Sequence, residues 1–345
     1  MVGPNVFVGC DLSDKRASLC VVDARGRVIG RADLRLRERE LSAWFSRQPR
    51  ARVVLEVGSH SAWVSRLLRR LGHEAIVANP RRVELIARSQ RKTDERDAEL
   101  LARLGRADVT LLAPVQHRSE QVQLDLVTIR SRDMLVKTRA KLVSHLRGIV
   151  KPFGARIPRA TPPVLPDRAE AAIEGPLQQA LQPILECLRL MNEKVKLYDR
   201  MVEQRARDAY PEAERLSRTL PGIGPVTSLA YVLTIEDPTR FKKSRAVGPY
   251  LGLTPRRRQS GQRDPEGHIS KAGDPLLRRL LLQCAKCVLR RCPDSDLQRW
   301  GRGLAARGRK AAANRAAVAV ARKLAVLMHK LWVSGEEYRP LRAAA

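Results

Sequence analysis

Four acidic residues of this chain occur where carboxylates could bind a divalent metal ion. Asp11 and Glu56 end two apolar runs that are typical of buried strands. Asp94 and Asp97 are three residues apart in a run typical of the first turn of a helix, and residues at that spacing share one helix face. Because hard cations such as Mg²⁺ prefer oxygen ligands, the four carboxylates would form an all-oxygen metal site suited to phosphodiester chemistry.

Each of these carboxylates also has an ordinary structural interpretation. An Asp after a strand is often a turn former, and an Asp in a first helical turn often interacts with the helix dipole. The chain has 36 acidic residues, so four can easily be selected after the fact. Their order, two strand ends and then a helix start, favours the metal site, while the structural interpretation stays open.

The composition indicates a polyanionic partner. Lys and Arg total 66, which gives a formal net charge of +30. Such an excess destabilises a compact fold by self-repulsion unless an anion relieves it. We expect nucleic acid as the partner, with a membrane surface as the weaker alternative. Aromatic residues are only 4% of the chain, so contacts with phosphates are favoured over base stacking.

The apolar content predicts a folded protein. The lack of a membrane-span pattern and of a signal-peptide pattern predicts that it is cytoplasmic. The 345 residues fit two or three domains, and 43% of them are hydrophobic, enough for real cores. No apolar run approaches the roughly 18 residues of a membrane span, and the N-terminus lacks a signal-peptide pattern. Cys284, Cys287 and Cys292 cluster but have no fourth zinc ligand at a suitable spacing, so helix packing is expected of them.

Residues 1–115 are predicted to form an α/β domain. Three strand patterns, ending near residue 36, precede alternating helices and strands as far as residue 105. Thr93 is predicted to cap the helix that begins at Asp94. This order of elements is that of ribonuclease-H-like folds.

Residues 116–214 are predicted to form a helical arm. Apolar residues recur at spacings of three, four or seven in two long stretches, 119–153 and 178–210, and several prolines break the chain between them. The pattern indicates a helical hairpin or coiled coil with a packing or dimerisation role.

Residues 215–345 are predicted to be mainly helical and to contact nucleic acid. Gly222 and Gly224 lie between two helical patterns and resemble the hairpin of helix-hairpin-helix modules, whose N–H groups can bind phosphate. A tight interhelical turn is the alternative. Residues 256–310 contain 15 Lys or Arg against five Asp or Glu. The candidate phosphate contacts in this tract are Arg256, Arg257, Arg258 and Lys271.

Ser260 follows these arginines and precedes a glycine. A serine hydroxyl can attack a phosphodiester if its proton is removed and cations stabilise the developing charge. A serine in a glycine-rich loop is more often a turn residue, so both interpretations stay open.

Taken together, these motifs resemble the insertion-sequence-110 family of transposases, which includes the Piv-type DNA invertases. The matching runs are Lys-Thr-Asp-x-x-Asp, Pro-Gly-Ile-Gly, and Gly-Leu-Thr-Pro-Arg-Arg-x-x-Ser-Gly followed by Ser-Lys-Ala-Gly. They occur in the family order over nearly the whole chain. The run after Glu56, Val-Gly-Ser-His, departs from the family's Ala-Thr-Gly, which affects the connection to the next helix and not the carboxylate. The resemblance implies a RuvC-like domain, a coiled-coil arm and a C-terminal transposase domain.

The resemblance also implies a chemistry. Asp11, Glu56, Asp94 and Asp97 would bind Mg²⁺, with Mn²⁺ as the alternative, and Ser260 would form a covalent phosphoserine link to DNA. Excision and insertion would be guided by a structured bridge RNA that pairs with donor and target double-stranded DNA. The family further implies a homo-oligomer, a dimer or a tetramer on DNA, in which the carboxylates of one subunit pair with the serine of another.

Two other functions are kept beside this recombinase. A RuvC-like metal-dependent nuclease would use the carboxylates to activate water and would leave unjoined ends. A non-catalytic nucleic-acid-binding protein would have acids that merely balance a basic surface, and its binding would show only the salt dependence of phosphate contacts.

Overall fold

The computed structural model describes residues 5–86, 93–256, 267–308 and 310–341. Contacts divide the chain into two units, Met1–His117 and Arg118–Ala345. The predicted division into 1–115, 116–214 and 215–345 stays a prediction.

The first unit contains a mixed sheet whose five strands lie in the order β3-β2-β1-β4-β5. β1 pairs antiparallel with β2, and β2 antiparallel with β3, whereas β4 is parallel to both β1 and β5. The strands are β1 (Val6–Leu12), β2 (Arg16–Asp23), β3 (Val28–Arg35), β4 (Arg52–Glu56) and β5 (Glu74–Ala78). The helices of this unit are α1 (Glu38–Phe45), α2 (Ser61–Arg70), α3 (Pro80–Ile86) and α4 (Asp94–Ala107). The predicted α/β architecture is confirmed.

Helices cover both faces of the sheet. On one face, Val8 and Cys10 of β1 are buried in a cluster with Leu41 of α1 and Val64 of α2. On the other face, Phe7 of β1 is buried with two alanines of α4. Since side chains alternate across a strand, odd-numbered residues of β1 point towards α4.

The approach of α4 to β1 is a backbone contact at Gly9. A Cβ atom built on Gly9 would lie 1.8 Å from the carbonyl oxygen of Ala98 and 2.6 Å from the amide nitrogen of Ala102. No side chain fits in that space, so glycine permits the helix to lie directly on the strand. The small side chains of Ala98 and Ala102 on α4 likewise allow the helix to approach the strand closely.

Arginine contacts fix the direction of α4 across the sheet. Near its C-terminal end, Arg103 donates to the carbonyl of Gly26 at 3.1 Å and Arg106 donates to that of Ala24 at 3.3 Å. These carbonyls belong to the turn between β2 and β3, at the end of the sheet where β1 begins. The first turn of α4 therefore points towards the opposite end of the sheet, where β1 and β4 end.

The second unit is mostly helical, as predicted. Its central helix is α9 (Pro225–Ile235), which is buried from Thr227 onwards; within it, Tyr231 is fully buried and donates from its hydroxyl to the carbonyl of Ala325 at 2.7 Å. The other helices of this unit are α5 (Glu120–Ile149), α6 (Leu165–Glu170), α7 (Gly175–Ala209), α8 (Pro211–Thr219), α10 (Val247–Tyr250), α11 (Pro275–Arg290), α12 (Asp296–Ala306) and α13 (Lys310–Ser334).

The two long helices predicted on either side of the proline-rich segment are present as α5 and α7. Polar pairs join them, including Arg132 to Asp199 at 2.5 Å and Arg205 to Asp125 at 2.8 Å. Coiled-coil geometry for this pair stays a prediction. Among the helices in the described part of the chain, none is both long enough and apolar enough to cross a membrane.

The contact at Gly9 leads to a stability prediction. We expect Gly9→Ala to lower the free energy of unfolding of the first unit by about 3 kcal/mol, because the new methyl group must displace helix backbone. Urea denaturation followed by hydrogen exchange of β1 amides measures this change.

Gly30→Ala is the matched control in the same sheet. Its Cβ would lie 3.8 Å from the side chain of Val21, an ordinary contact. We expect a change within about 0.5 kcal/mol. Equal denaturation midpoints for the two variants would show that α4 does not rest on the backbone of β1.

Candidate functional site

Asp11 faces α4 at the end of β1. It is in phase with Phe7, which contacts α4, and with Gly9, on which α4 rests. The side chain is half-buried. Asp11 is therefore on the face of the sheet that α4 covers. It lies at the end of the sheet towards which the first turn of α4 points.

Glu56 reaches the same edge on the neighbouring strand. β1 and β4 run parallel, with Cys10 opposite Leu55, so Asp11 and Glu56 are the next residues of two adjacent strands. Val54 is in phase with Glu56 and is buried against Leu101 and Leu104 of α4. Both strand carboxylates thus share the face covered by α4.

Asp94 and Asp97 occupy the first turn of α4. The side chain of Thr93 accepts from the amide of Arg96 at 3.4 Å, which confirms Thr93 as the N-cap. At helical spacing, the two aspartates continue the stripe of Leu101 and Leu104, which packs on β4. Asp97 is half-buried and Asp94 is exposed. The fold therefore directs all four carboxylates to one end of the sheet, and we name this set the acidic edge.

The acidic edge fits a hard divalent cation in its donor type and in its backbone placement. Four carboxylates offer only oxygen ligands, which suits Mg²⁺ or Mn²⁺. The side chains are not gathered into a cage, since among the described residues no three His, Cys, Asp or Glu are arranged to hold a metal ion. The strands and the helix place the four carboxylates at one end of the sheet, and a bound ion would have to draw their side chains together.

Titratable groups beside the acidic edge have structural roles. The pKa of the Glu99 carboxyl is held below its usual value by a hydrogen bond from Arg31 and then by one from Arg103. The bond from Arg31 attaches α4 to β3, and the bond from Arg103 lies within α4. Burial, reinforced by the charge of Asp11, raises the pKa of the Cys10 thiol far above neutral pH, so that Cys10 stays protonated.

Gly222 and Gly224 form the turn between α8 and α9, as predicted, but they differ in their surroundings. Gly222 has a φ of +82°, and a Cβ there would lie 3.0 Å from the sulfur of Cys292. Gly224 is the N-cap of α9, and a Cβ on it would meet nothing within 4 Å. Gly222 therefore serves the turn and its packing, whereas Gly224 leaves space in front of a helix N-terminus.

Arg256 and Lys271 lie on two segments, 251–256 and 267–273, which we name the loop base. Arg256 is exposed and donates to the carbonyl of Ser270 at 3.3 Å. A guanidinium has five N–H donors, so this bond still permits a phosphate contact. Lys271 is exposed and has a φ of +55°, a conformation that costs a non-glycine residue about 1–2 kcal/mol.

The predicted nucleophile, Ser260, lies outside the described residues, as do Arg257 and Arg258. The competing serine is Ser270, whose amide donates to the carbonyl of Thr254 at 2.8 Å. The Ser270 hydroxyl accepts from the amide of Ala272 at 3.4 Å. Ser270 therefore has a structural role within the loop base.

Sequence reasoning missed the residues that organise the loop base. Arg278 of α11 is buried, and Gly252 and Gly273 have positive φ values. The start of α11 could have been recognised, because Asp274 followed by Pro275 is a typical N-cap pair, and Asp274 does accept from two backbone amides. No sequence signal distinguished Arg278 from the other arginines of this basic tract.

The cysteine cluster belongs to the packing of α11. Cys284 is buried and donates to the hydroxyl of Thr227 at 3.4 Å. The sulfurs of Cys287 and Cys292 are 3.9 Å apart. Burial, together with the neighbouring thiol of Cys287, raises the pKa of Cys292 to about 11. A thiol with this pKa is protonated at neutral pH.

The two hairpin glycines should respond differently to alanine. We expect Gly222→Ala to lower the free energy of unfolding by about 1–2 kcal/mol, because the residue has a positive φ and meets Cys292. Gly224→Ala should cost less than about 1 kcal/mol, the loss of a weak N-cap. Thermal denaturation measures both, and an equal loss would contradict the different surroundings.

DNA affinity of the stable Gly224→Ala variant then tests the phosphate role, because a methyl group there would obstruct an approaching phosphate.

Family models match both units. A model described as "Transposase IS116/IS110/IS902 family" matches residues 214–300, and the DEDD model of IS110 proteins, described as "Transposase", matches residues 8–153. Between them, the two models span about two thirds of the chain.

Relatives of similar length carry transposase names. A Pseudomonas aeruginosa protein named as a probable family 20 transposase is 29% identical, over 96% of this chain and 98% of that protein. The transposase for insertion sequence element IS1111A of Coxiella burnetii is 27% identical, over 96% of this chain and 91% of its own. The Sinorhizobium fredii protein y4rJ, also named as a transposase, is 30% identical, over 72% of this chain and 68% of that protein. With the motifs in family order on the observed fold, these matches show that the chain belongs to the IS110/IS116/IS902 family of transposases.

Proposed function

We propose that this transposase cuts and rejoins double-stranded DNA through a covalent bond to Ser260, with divalent metal ions bound at the acidic edge. The observation that carries the proposal is the direction of four carboxylates, from β1, β4 and α4, to one end of the sheet. The letters of the DEDD family model name the residue types in the same order as Asp11, Glu56, Asp94 and Asp97. We assign a RuvC-like fold to the first unit on the same grounds.

In the proposed reaction, residues of this chain bind and orient one DNA phosphate, and Ser260 exchanges bonds with it. The Ser260 hydroxyl gives up its proton and its oxygen bonds to phosphorus, while a DNA hydroxyl leaves with its electron pair and takes up a proton. Attack on the phosphoserine by another DNA hydroxyl then reverses the exchange and joins the strands. When bound at the acidic edge, Mg²⁺ or Mn²⁺ would neutralise charge on the scissile phosphate. Because a phosphoester bond is kept throughout, no external energy source is needed.

Contacts with the DNA backbone would come from the basic C-terminal tract. Arg256 and Lys271 are exposed on the loop base, and Arg257 and Arg258 are adjacent in sequence to Arg256. Side chains of this kind bind phosphates without reading bases. Gly224, at the N-terminus of α9, is a further place for a phosphate. Low base specificity of the protein is compatible with guidance by a bridge RNA, in which pairing supplies the sequence recognition.

We further propose that the protein acts as a homo-oligomer on the bacterial nucleoid in the cytoplasm, a dimer or a tetramer on DNA. α5 and α7 expose apolar side chains, including Leu124, Val127 and Met134 on α5 and Leu190 on α7, which supports a packing or dimerisation role for a coiled-coil arm. In such an assembly, the acidic edge of one subunit would act together with Ser260 of another.

The carboxylate role can be tested within one helical turn. We expect Asp97→Asn to reduce Mg²⁺-dependent strand cleavage by at least about 100-fold, because an amide cannot replace an anionic metal ligand. Glu95→Gln is the control, since Glu95 is exposed in the same turn and is not part of the acidic edge. Cleavage of labelled DNA is measured over a Mg²⁺ titration. If Asp97→Asn cleaved DNA as fast as the wild-type protein, the carboxylate of Asp97 would not be a metal ligand in the reaction.

The serine role calls for a trapping experiment. Purified protein is incubated with its flanking-sequence RNA, Mg²⁺ and labelled donor and target DNA, and the products are separated on a denaturing gel. We expect a slow protein–DNA band that is absent in Ser260→Ala and kept in Ser270→Ala, because Ser270 has a structural role. Free cleaved ends without an adduct would instead favour the hydrolytic nuclease.

A further inference from the structure

Arg278 is a buried cation that bonds to main-chain carbonyls. Its side chain extends from α11, and the residue is only 9% exposed. The Nη1 atom donates to the carbonyl oxygen of Leu251 at 3.0 Å and to that of Ala272 at 2.5 Å. Hydrogen bonds from a charged donor are stronger than neutral ones, and burial makes their loss more costly.

The two carbonyls belong to opposite segments of the loop base, and these segments cross in backbone contact. A Cβ on Gly252 would lie 2.3 Å from the amide nitrogen of Ala272, and a Cβ on Gly273 would lie 2.3 Å from the carbonyl oxygen of Tyr250. Both glycines have positive φ values, +67° and +70°. Only glycine satisfies both the conformation and the space at this crossing.

Beyond the crossing, the segments run side by side as a short antiparallel pair. The amide of Arg256 donates to the carbonyl of His268 at 3.0 Å, and Pro255 forms an isolated bridge with Ile269. Residues 257–266 connect the two segments in sequence and include Ser260, which is four residues from Arg256. Both ends of this connection are thus attached to the loop base.

Residues around Arg278 are themselves fixed in the second unit. Leu277 and Leu281 of α11 are buried in the main core cluster. Asp274 caps the helix by accepting from the amides of Leu276 and Leu277 at 2.7 and 3.0 Å. Arg278 thus connects a well-anchored helix to both segments of the loop base.

We propose that Arg278 is a positioning residue, which holds the loop base so that the loop presents Ser260 to the DNA phosphate. This inference rests on the proposed function of Ser260. Loss of the guanidinium leaves two carbonyls without their donor and loosens the contact between the segments, so attack by the serine becomes slower even when DNA is saturating. A displacement of about 1 Å at a reacting group can cost on the order of 100-fold in rate.

The experiment compares Arg278→Met with Arg278→Lys and with Arg279→Met. Arg279 is the neighbour on α11 and pairs with Asp133 at 2.5 Å, and Asp133 keeps a second partner, Lys137, at 2.8 Å. Arg279→Met therefore removes an adjacent arginine without touching the loop base. For each variant, the rate of Ser260–DNA adduct formation at saturating DNA is measured beside the DNA dissociation constant and the thermal midpoint.

We expect Arg278→Met to slow adduct formation at saturating DNA by about 100-fold, beyond any loss of DNA affinity through Arg256 and Lys271. Arg278→Lys should recover part of the rate, because an ammonium can donate to two carbonyls. Arg279→Met should form the adduct at nearly the wild-type rate. Equal slowing in Arg278→Met and Arg279→Met, or slowing in Arg278→Met that disappears at saturating DNA, would overturn the proposal.

Hydrogen exchange separates a failure of this inference from a failure of the proposed function. The amides of Arg256 and Ser270 report on the loop base without any DNA chemistry. If wild-type protein formed no serine adduct, the proposed function would fail, and the positioning role would fail with it. If the adduct formed but exchange at these amides were as slow in Arg278→Met as in Arg279→Met, only the role of Arg278 would be wrong.

Discussion

The contact between the backbones of α4 and β1 at Gly9 is the constraint on which the acidic edge depends. With a side chain at this position, the helix would have to move outward from the sheet, and its first turn would no longer lie over the strand ends. The aspartates of α4 take their position from this contact, because helix geometry fixes their distance from Ala98. The placement of the acidic edge in the first unit thus follows from the absence of one methyl group.

The loop base of the second unit uses the same physical means for a different purpose. Gly252 and Gly273 let two segments cross in backbone contact, and the guanidinium of Arg278 satisfies the carbonyls at the crossing. In both units, the elements that position candidate residues are joined by main-chain contacts that leave little freedom to adjust. In a chain of net charge +30, paired acids such as Glu99 and Asp125 stabilise the frame by binding arginines. The acidic edge differs in bringing several carboxylates to one place.

Much of the fold could be predicted because it depends on local signals. The strands around Asp11 and Glu56 and the N-cap at Thr93 follow from apolar alternation and capping chemistry, which act over a few residues. The contact of α4 with Gly9, the crossing at Gly252 and the bonds of Arg278 depend on residues distant in sequence, so neither periodicity nor composition indicates them. The different surroundings of Gly222 and Gly224 could not be predicted for the same reason. Only Gly222 has a close neighbour, Cys292, and that residue is distant in sequence. The motifs identified the candidate site residues, and the fold supplies a reason for the glycines among those motifs.

The strand order has a consequence for how the first unit fluctuates. β1 and β4, which carry Asp11 and Glu56, each have a hydrogen-bonded neighbour on both sides, whereas β3 and β5 are the edges of the sheet. Local opening begins where backbone bonds are fewest and most exposed, and Ile29 on β3 is 57% exposed. The sheet can therefore fray from its margins while the two strand carboxylates stay in register. Asp11 and Glu56 are thus held in register from both sides, whereas Asp94 and Asp97 lie in the terminal turn of α4, beyond its contact with Gly9.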